Sequence, residues 1–259
     1  MAELDLGLVV GRNGLHADAN MLHNGNFKIN QRGKTSYKVN GYTVDRWRTM
    51  TNAATVEVTS DGISLGTGVA LRQYIAGDTS GMLTAAVCDS NGNIYCASGK
   101  LTDGAIKGTK MQVALDDDGK PYFLLYDGNA FRWAALYRGA YTLDTLPEYA
   151  SRDYAADLLE CQRYYIKLKS YHATGQMLTT GGRFGFTLPT AMRITPTLTL
   201  LTKGTIICNG VKDVAVTKAE LNAVAGNRIA VYTTHASQSG WSLQTGIWVD
   251  GEFELSADL

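Results

Sequence analysis

The sequence predicts a mainly-β protein: a jelly-roll β-sandwich body, a connecting α-helix and a smaller C-terminal β-sandwich domain. Three observations carry this. Across 259 residues, 28 glycines against 4 prolines supply many tight turns and positive-φ positions but few rigid linkers. Short apolar runs of period two recur between those turns. The alternation breaks once for a stretch of helical spacing.

The chain is long enough for one large domain or two ordinary ones at ~100 to 200 residues each. Lys plus Arg number 24 and Asp plus Glu 24, giving net charge +0 with only 19% charged residues. A phosphate-tracking surface needs clustered cations, so no nucleic-acid partner is expected. No apolar run approaches the ~18 residues of a helical span, so no membrane insertion is expected. Glu3 and Asp5 stand where a secretory leader has a basic start, so no signal peptide is expected either.

In chain order, residues 1–20 alternate Leu4, Leu6, Leu8 and Val10 before a Gly-Arg-Asn-Gly turn, and form an arm that needs a neighbour. The body, 21–145, holds expected strands at 43–48, 54–59, 69–75, 83–88, 94–97, 111–115, 121–126 and 131–137. Asp61-Gly62, Asp118-Gly119 and Asp127-Gly128 are expected to make its hairpin turns. Asn91-Gly92, as a two-residue turn, sets Cys88 opposite Tyr95 and Val87 opposite Cys96, which puts the two thiols on opposite faces and forbids a disulfide. In the linker, 146–171, Tyr154, Leu158, Cys161, Tyr165 and Leu168 form one apolar seam of a helix over 153–169. That seam serves either a helix lying on its own sheet or one packing against copies of itself. The last domain, 172–259, has expected strands at 177–188, 192–201, 205–208, 228–234, 241–249 and 252–259.

Chemical motifs are few. Gly62-Ile63-Ser64-Leu65-Gly66 has the spacing of a nucleophile elbow, but strand-like residues follow where a helix is required. Asp116-Asp117-Asp118-Gly119 lacks the acids that a calcium loop needs at positions 114 and 125. His16, His23, His172 and His235 do not stand at metal-ligand spacing from one another or from a cysteine. No metal, cofactor or enzymatic activity is expected. Fourteen tyrosines and 4 tryptophans are the surplus type, suited to sugar stacking, interfaces or core packing.

Leu22-His23-Asn24-Gly25-Asn26-Phe27-Lys28-Ile29-Asn30-Gln31-Arg32-Gly33, followed by Tyr42-Thr43-Val44-Asp45-Arg46-Trp47, resembles the opening of bacteriophage and prophage tail-fibre proteins with a carbohydrate-binding-module-like jelly-roll. Blocks at 141–149, at Glu160-Cys161-Gln162-Arg163-Tyr164-Tyr165, at 192–197 and at 253–259 are similar in the same order. The residues of the opening read as scaffold: Phe27 and Trp47 fill the sandwich, while Asn26, Gln31, Arg32, Asp45 and Arg46 fix the loop between strands.

The resemblance implies a receptor-binding tail protein in the virion tail, a homotrimer among other phage tail proteins, attaching to a bacterial cell-surface glycan. A structural tail or baseplate component and a glycan-degrading tailspike stand as alternatives. The contact site is expected in the C-terminal domain, at Tyr232, His235, Gln238 and Trp241 around a polar loop, with Trp241 stacking on a sugar face; the competing reading makes Trp241 the start of a core strand.

Overall fold

The computed structural model describes residues 20–52, 55–208, 211–238, 241 and 244–257. The expected arm at 1–20 therefore lies, but for Asn20, outside the described residues. The chain divides into two compact units, Met1–Asp157 and Leu158–Leu259. The division falls within the expected linker. No helix among the described residues is long and apolar enough to cross a membrane.

The first unit is a two-sheet sandwich. Strands β1 (Ser36–Tyr37), β3 (Val56–Thr59), β4 (Gly62–Leu65), β11 (Ala130–Arg138), β6 (Leu83–Asp89) and β7 (Ile94–Gly99) form a six-stranded sheet in that order. The second sheet has five strands: β2 (Arg48–Thr49), β5 (Leu71–Tyr74), β10 (Pro121–Leu125), β9 (Met111–Leu115) and β8 (Ile106–Lys107). Alternation along each strand sends one set of side chains inward. Leu71, Met111, Val113, Phe123 and Leu125 from one sheet share a core with Ile63, Ala85, Val87, Phe131 and Leu136 from the other. Trp47, fully buried, packs on Phe27 at 5.2 Å and edge-on to Phe123 at 6.2 Å between ring centroids.

Three expected turns are corrected. The turn between β3 and β4 is Ser60-Asp61, because Thr59 pairs with Gly62. Asp127-Gly128 joins β10 to β11, strands of different sheets, so it is a crossover between layers. The loop at Asn91-Gly92 holds three residues, since the Asp89 N–H donates to the Asn93 carbonyl at 3.0 Å. Val87 then faces Tyr95, Cys88 faces Ile94 and Ala86 faces Cys96. Cys88 and Cys96 share one face as diagonal neighbours, ~7 to 8 Å apart in such a ladder and beyond the reach of a bridge. All four cysteines are free, and burial pushes the thiols of Cys88, Cys96 and Cys208 up.

The same loop is built twice. In Asp89-Ser90-Asn91-Gly92-Asn93 the Asp89 carboxylate accepts the N–H groups of Asn91 and Asn93 at 3.0 and 2.9 Å. In Asp116-Asp117-Asp118-Gly119-Lys120 the Asp116 carboxylate accepts those of Asp118 and Lys120 at 3.1 and 2.8 Å. Each closes through a glycine at φ +87 or +75, the left-handed position a three-residue hairpin demands. The acidic run at 116–118 is thus a turn device, and the described residues contain no cluster of metal-ligating side chains.

The helix α1 spans Tyr154–Gln162, shorter than the seam implied. Asp153 caps it, its side chain accepting the Ala156 N–H at 2.9 Å. Its end tightens to i→i+3 bonds, Arg163 N–H to Glu160 carbonyl and Tyr164 N–H to Cys161 carbonyl. Tyr165 and Leu168 belong instead to strand β12 (Tyr165–Lys169), which pairs along its whole length with β20 (Glu252–Ser256). Cross-strand pairing, favoured by the aromatic Tyr165 and the β-branched Ile166, overrides the local helical spacing.

In the second unit β12, β20 and β15 (Thr197–Thr202) make a three-stranded sheet. Strands β13 (Ala173–Met177), β14 (Gly181–Thr187), β18 (Arg228–His235), β17 (Val211–Ala225), β16 (Thr205–Cys208) and β19 (Thr245–Val249) follow one another around a closed barrel. Closure arises because β13 pairs with both β14 and β19, so the expected second sandwich becomes a barrel. Met177, Phe184, Ile206, Val231 and Trp248 are among its buried residues.

The Asp89 loop makes a pH prediction. Lys110 Nζ lies 2.9 Å from Asp89, and this contact with the Asn93 hydrogen bonds holds the carboxyl well below the usual carboxylate range, while Lys110 is raised in turn. A depressed carboxyl contributes stability that is complete above its unfolded value, about 3.9, and is lost as pH falls through the folded one. A raised lysine contributes fully below about 10.4 and loses it as pH rises beyond. Thermal melts from pH 3 to 8 should show Lys110→Met lowering the melting temperature at pH 7, with a shallower loss below pH 4 than the wild type.

Candidate functional site

The resemblance-bearing opening folds around one side chain. Asn24, fully buried with φ +51, donates from its amide to the Ile29 carbonyl at 2.8 Å and the Asp45 carbonyl at 3.0 Å, and accepts the Ile29 N–H at 2.8 Å. Its carbonyl takes the Trp47 indole N–H at 3.0 Å, and its own N–H donates to Asp157 at 2.8 Å. Next to it, the Gln73 side chain pairs with both backbone groups of His23 at 2.9 and 2.8 Å. Asp157 also faces His23 at 3.5 Å and Arg152 at 3.6 Å. Asn24 and Gln73 thus spend every side-chain polar atom on a neighbour in the fold, while the buried Asp157 Oδ1 has only the longer contacts to His23 and Arg152.

The expected scaffold residues take their places around this hub. Asp45, buried, accepts the Gln31 N–H at 2.7 Å and the Gln31 side-chain amide at 3.0 Å, with Arg32 3.9 Å away. Arg46, at φ +72, donates to the Tyr74 carbonyl at 3.1 Å. Among the described residues Asn26 does less than expected, accepting the Lys28 N–H at 3.3 Å in a local turn. Asn24 fills the role given to Asn26; its signal was the Asn-Gly step, which marks a left-handed position.

The other blocks also meet one another. Segment 139–149 straps the outer face of the six-stranded sheet. Tyr141 N–H donates to Thr84 Oγ1 at 3.0 Å, Ser98 Oγ to the Tyr141 carbonyl at 2.7 Å, and Tyr149 stacks on Trp133 at 4.4 Å. In the second unit the Arg193 N–H donates to the Arg163 carbonyl at 2.9 Å while its guanidinium lies 5.2 Å over Tyr164. Ala257 N–H donates to the Tyr164 carbonyl at 2.7 Å, and Tyr165 OH to Glu254 at 2.7 Å. Cys161 is buried and Gln162 closes the helix.

At the expected contact loop, the stacking role of Trp241 is corrected. Trp241 is 1% exposed, part of the second unit's core, and edge-on to the buried His235 at 4.9 Å. A ring with both faces enclosed has none to offer a sugar, so the core reading of Trp241 holds. Tyr232 and Gln238 are half-buried, and Gln238 N–H is bound to the Thr179 carbonyl at 2.9 Å.

Surface depressions lie elsewhere. On the first unit Ile94, Trp133, Leu143, Leu146, Pro147, Glu148 and Tyr149 line one of about 270 Å³, with Leu143 61% exposed. On the second unit another of about 270 Å³ is lined by Lys169, Tyr171, Thr202, Asp250, Gly251 and Glu252. Tyr171 is 75% exposed there. Sequence reasoning missed this ring. Its signal was an aromatic residue in Ser170-Tyr171-His172, where the period-two pattern of 165–169 lapses.

Asn24→Ala leaves the Asp45 carbonyl and the Ile29 N–H without partners in the core, at about 1 to 3 kcal/mol for each orphaned group, and leaves the Ile29 carbonyl with the Asp45 N–H alone. Urea unfolding should show a loss above about 3 kcal/mol, and Asn24→Asp, which keeps only the acceptor, should recover part of it. Comparisons of the chain with protein-family models, with curated proteins and with solved structures find no match.

Proposed function

We propose that the chain is a receptor-binding tail protein of bacteriophage type that attaches to a bacterial cell-surface glycan without catalysis. The observation that supports this reading most is the convergence of the tail-fibre-like blocks. Residues 22–33 and 42–47 close on Asn24, and residues 160–165, 192–197 and 253–257 close on Tyr164. Segments that match only by chance have no reason to be one another's hydrogen-bond partners. The scaffold leaves shallow, open depressions with aromatic side chains at the surface, a form suited to gripping one or two sugar units. Single sites of ~1 mM affinity, about −4 kcal/mol, gain ~10² to 10⁴ in avidity when copies are linked. A homotrimer in the virion tail meets that need.

A structural role in the tail is the second reading, favoured by the apolar depression at Ile94, Trp133 and Leu143, which suits a protein neighbour.

The purified chain, labelled and mixed with a panel of bacterial strains, should adsorb to at least one, and periodate oxidation of the cells' glycans should abolish adsorption. Adsorption to none, or adsorption untouched by periodate, overturns the glycan reading. Light scattering should give three times 28.0 kDa; a monomer across the concentration range removes the avidity argument.

A further inference from the structure

The depression at Tyr171 combines features that no packing requirement explains. Tyr171 follows β12 and carries φ +31, His172 next to it φ +66, and Asp250 across the depression φ +55. A bulky side chain in the left-handed region is uncommon and costly. The cost here holds a phenol ring out in water, 75% exposed, on a short loop.

The loop is fixed from below. Ser170, buried, donates its N–H to the Gly251 carbonyl at 2.7 Å and accepts the Gly251 N–H on Oγ at 2.8 Å. Gly251 is the floor, and a Cβ there would stand 2.3 Å from the buried Trp248 ring. Trp248 is itself stacked on Phe253 at 5.7 Å.

Around the ring the polar groups are equally ordered. Glu252 pairs in register with Lys169 on one side and Thr202 on the other, so the three side chains share one face in a row across the sheet. Lys167 Nζ holds the Glu252 carboxylate at 2.9 Å, and Lys169 Nζ lies over one face of the Tyr171 ring, 5.9 Å from its centroid. Asp250 is exposed. Two ammonium groups and two carboxylates leave the site without net charge.

An exposed flat ring on a rigid base takes the axial C–H face of a pyranose. Carboxylates at its edge accept hydrogen bonds from paired hydroxyls, and ammonium and hydroxyl groups donate to them. Balanced charge gives no advantage to an anion.

We propose that this shelf binds a neutral hexopyranose unit, stacked on Tyr171 with its hydroxyls turned to Asp250, Glu252, Lys169 and Thr202. The proposal rests on the glycan-attachment reading and gives it a place and a ligand class.

The test is an NMR titration of the full chain with the methyl pyranosides of glucose, galactose, mannose and N-acetylglucosamine, and with glycerol phosphate as an anionic probe. At least one neutral pyranoside should shift the Tyr171 ring signals saturably in the millimolar range, and glycerol phosphate should not. Tyr171→Ala should weaken that binding at least tenfold and Tyr171→Phe leave it within about threefold. Asp250→Asn, which keeps a side chain suited to the left-handed position, should weaken it severalfold with melting unchanged. Tyr232→Ala should have no effect. No saturable shift at Tyr171 from any neutral pyranoside, or equal binding by wild type and Tyr171→Ala, overturns the site. If either occurs while periodate-sensitive adsorption to cells persists, the attachment reading stands and only its location fails.

Discussion

The sandwich depends on the burial of one neutral amide. Asn24 supplies two donors and an acceptor at the place where three segments must cross without ladder partners. In a low-dielectric interior each such bond is strong and each omission expensive, so the loop has one satisfied arrangement. Its left-handed backbone is part of the device, since Asn tolerates that region and its carbonyl is thereby aimed at Trp47. The Asn24 N–H reaches Asp157 in turn, so the same residue also anchors the first turn of the helix. Neither a charged nor an apolar side chain of this size satisfies all these partners.

The second unit solves the equivalent problem with backbone groups and an aromatic. The Tyr164 carbonyl accepts from Ala257, and its ring lies under the Arg193 guanidinium, so the helix end, the loop before β15 and the end of β20 are fixed together. What the two nodes share is economy: widely separated stretches of chain are pinned by a few contacts.

Much of the fold was legible. Seven of the eight expected sandwich strands stand close to where alternation placed them, because period two and core-facing position are the same fact in a half-buried sheet; the eighth, at 43–48, is a turn through Arg46 at φ +72 that leads into the two-residue β2. What failed were the readings that depend on a single residue of loop length or on partners distant in sequence. The Asn91-Gly92 loop is longer by one residue because Asp89 recruits Asn93, and that one step reverses which side chains oppose each other. The seam through Tyr165 and Leu168 dissolves because β20, just over ninety residues on (Tyr165 pairs with Ser256), offers a better ladder. Trp241 looked like a platform because it borders a polar loop, but a sequence does not reveal which face of a ring is covered. Tyr171 was overlooked for the converse reason: the lapse of alternation at 170–172 marks a loop but does not say that its ring stays uncovered.

The closed barrel carries a consequence for change over time. An open sheet presents rows of unpaired amides at its edges, and any lengthening of a neighbouring turn risks recruiting a foreign strand. A cylinder in which each strand has two partners offers no such rail. Its connecting turns can therefore be lengthened, shortened or exchanged wholesale while the ladder keeps its register. A chain built this way can change its loops without relearning how to fold.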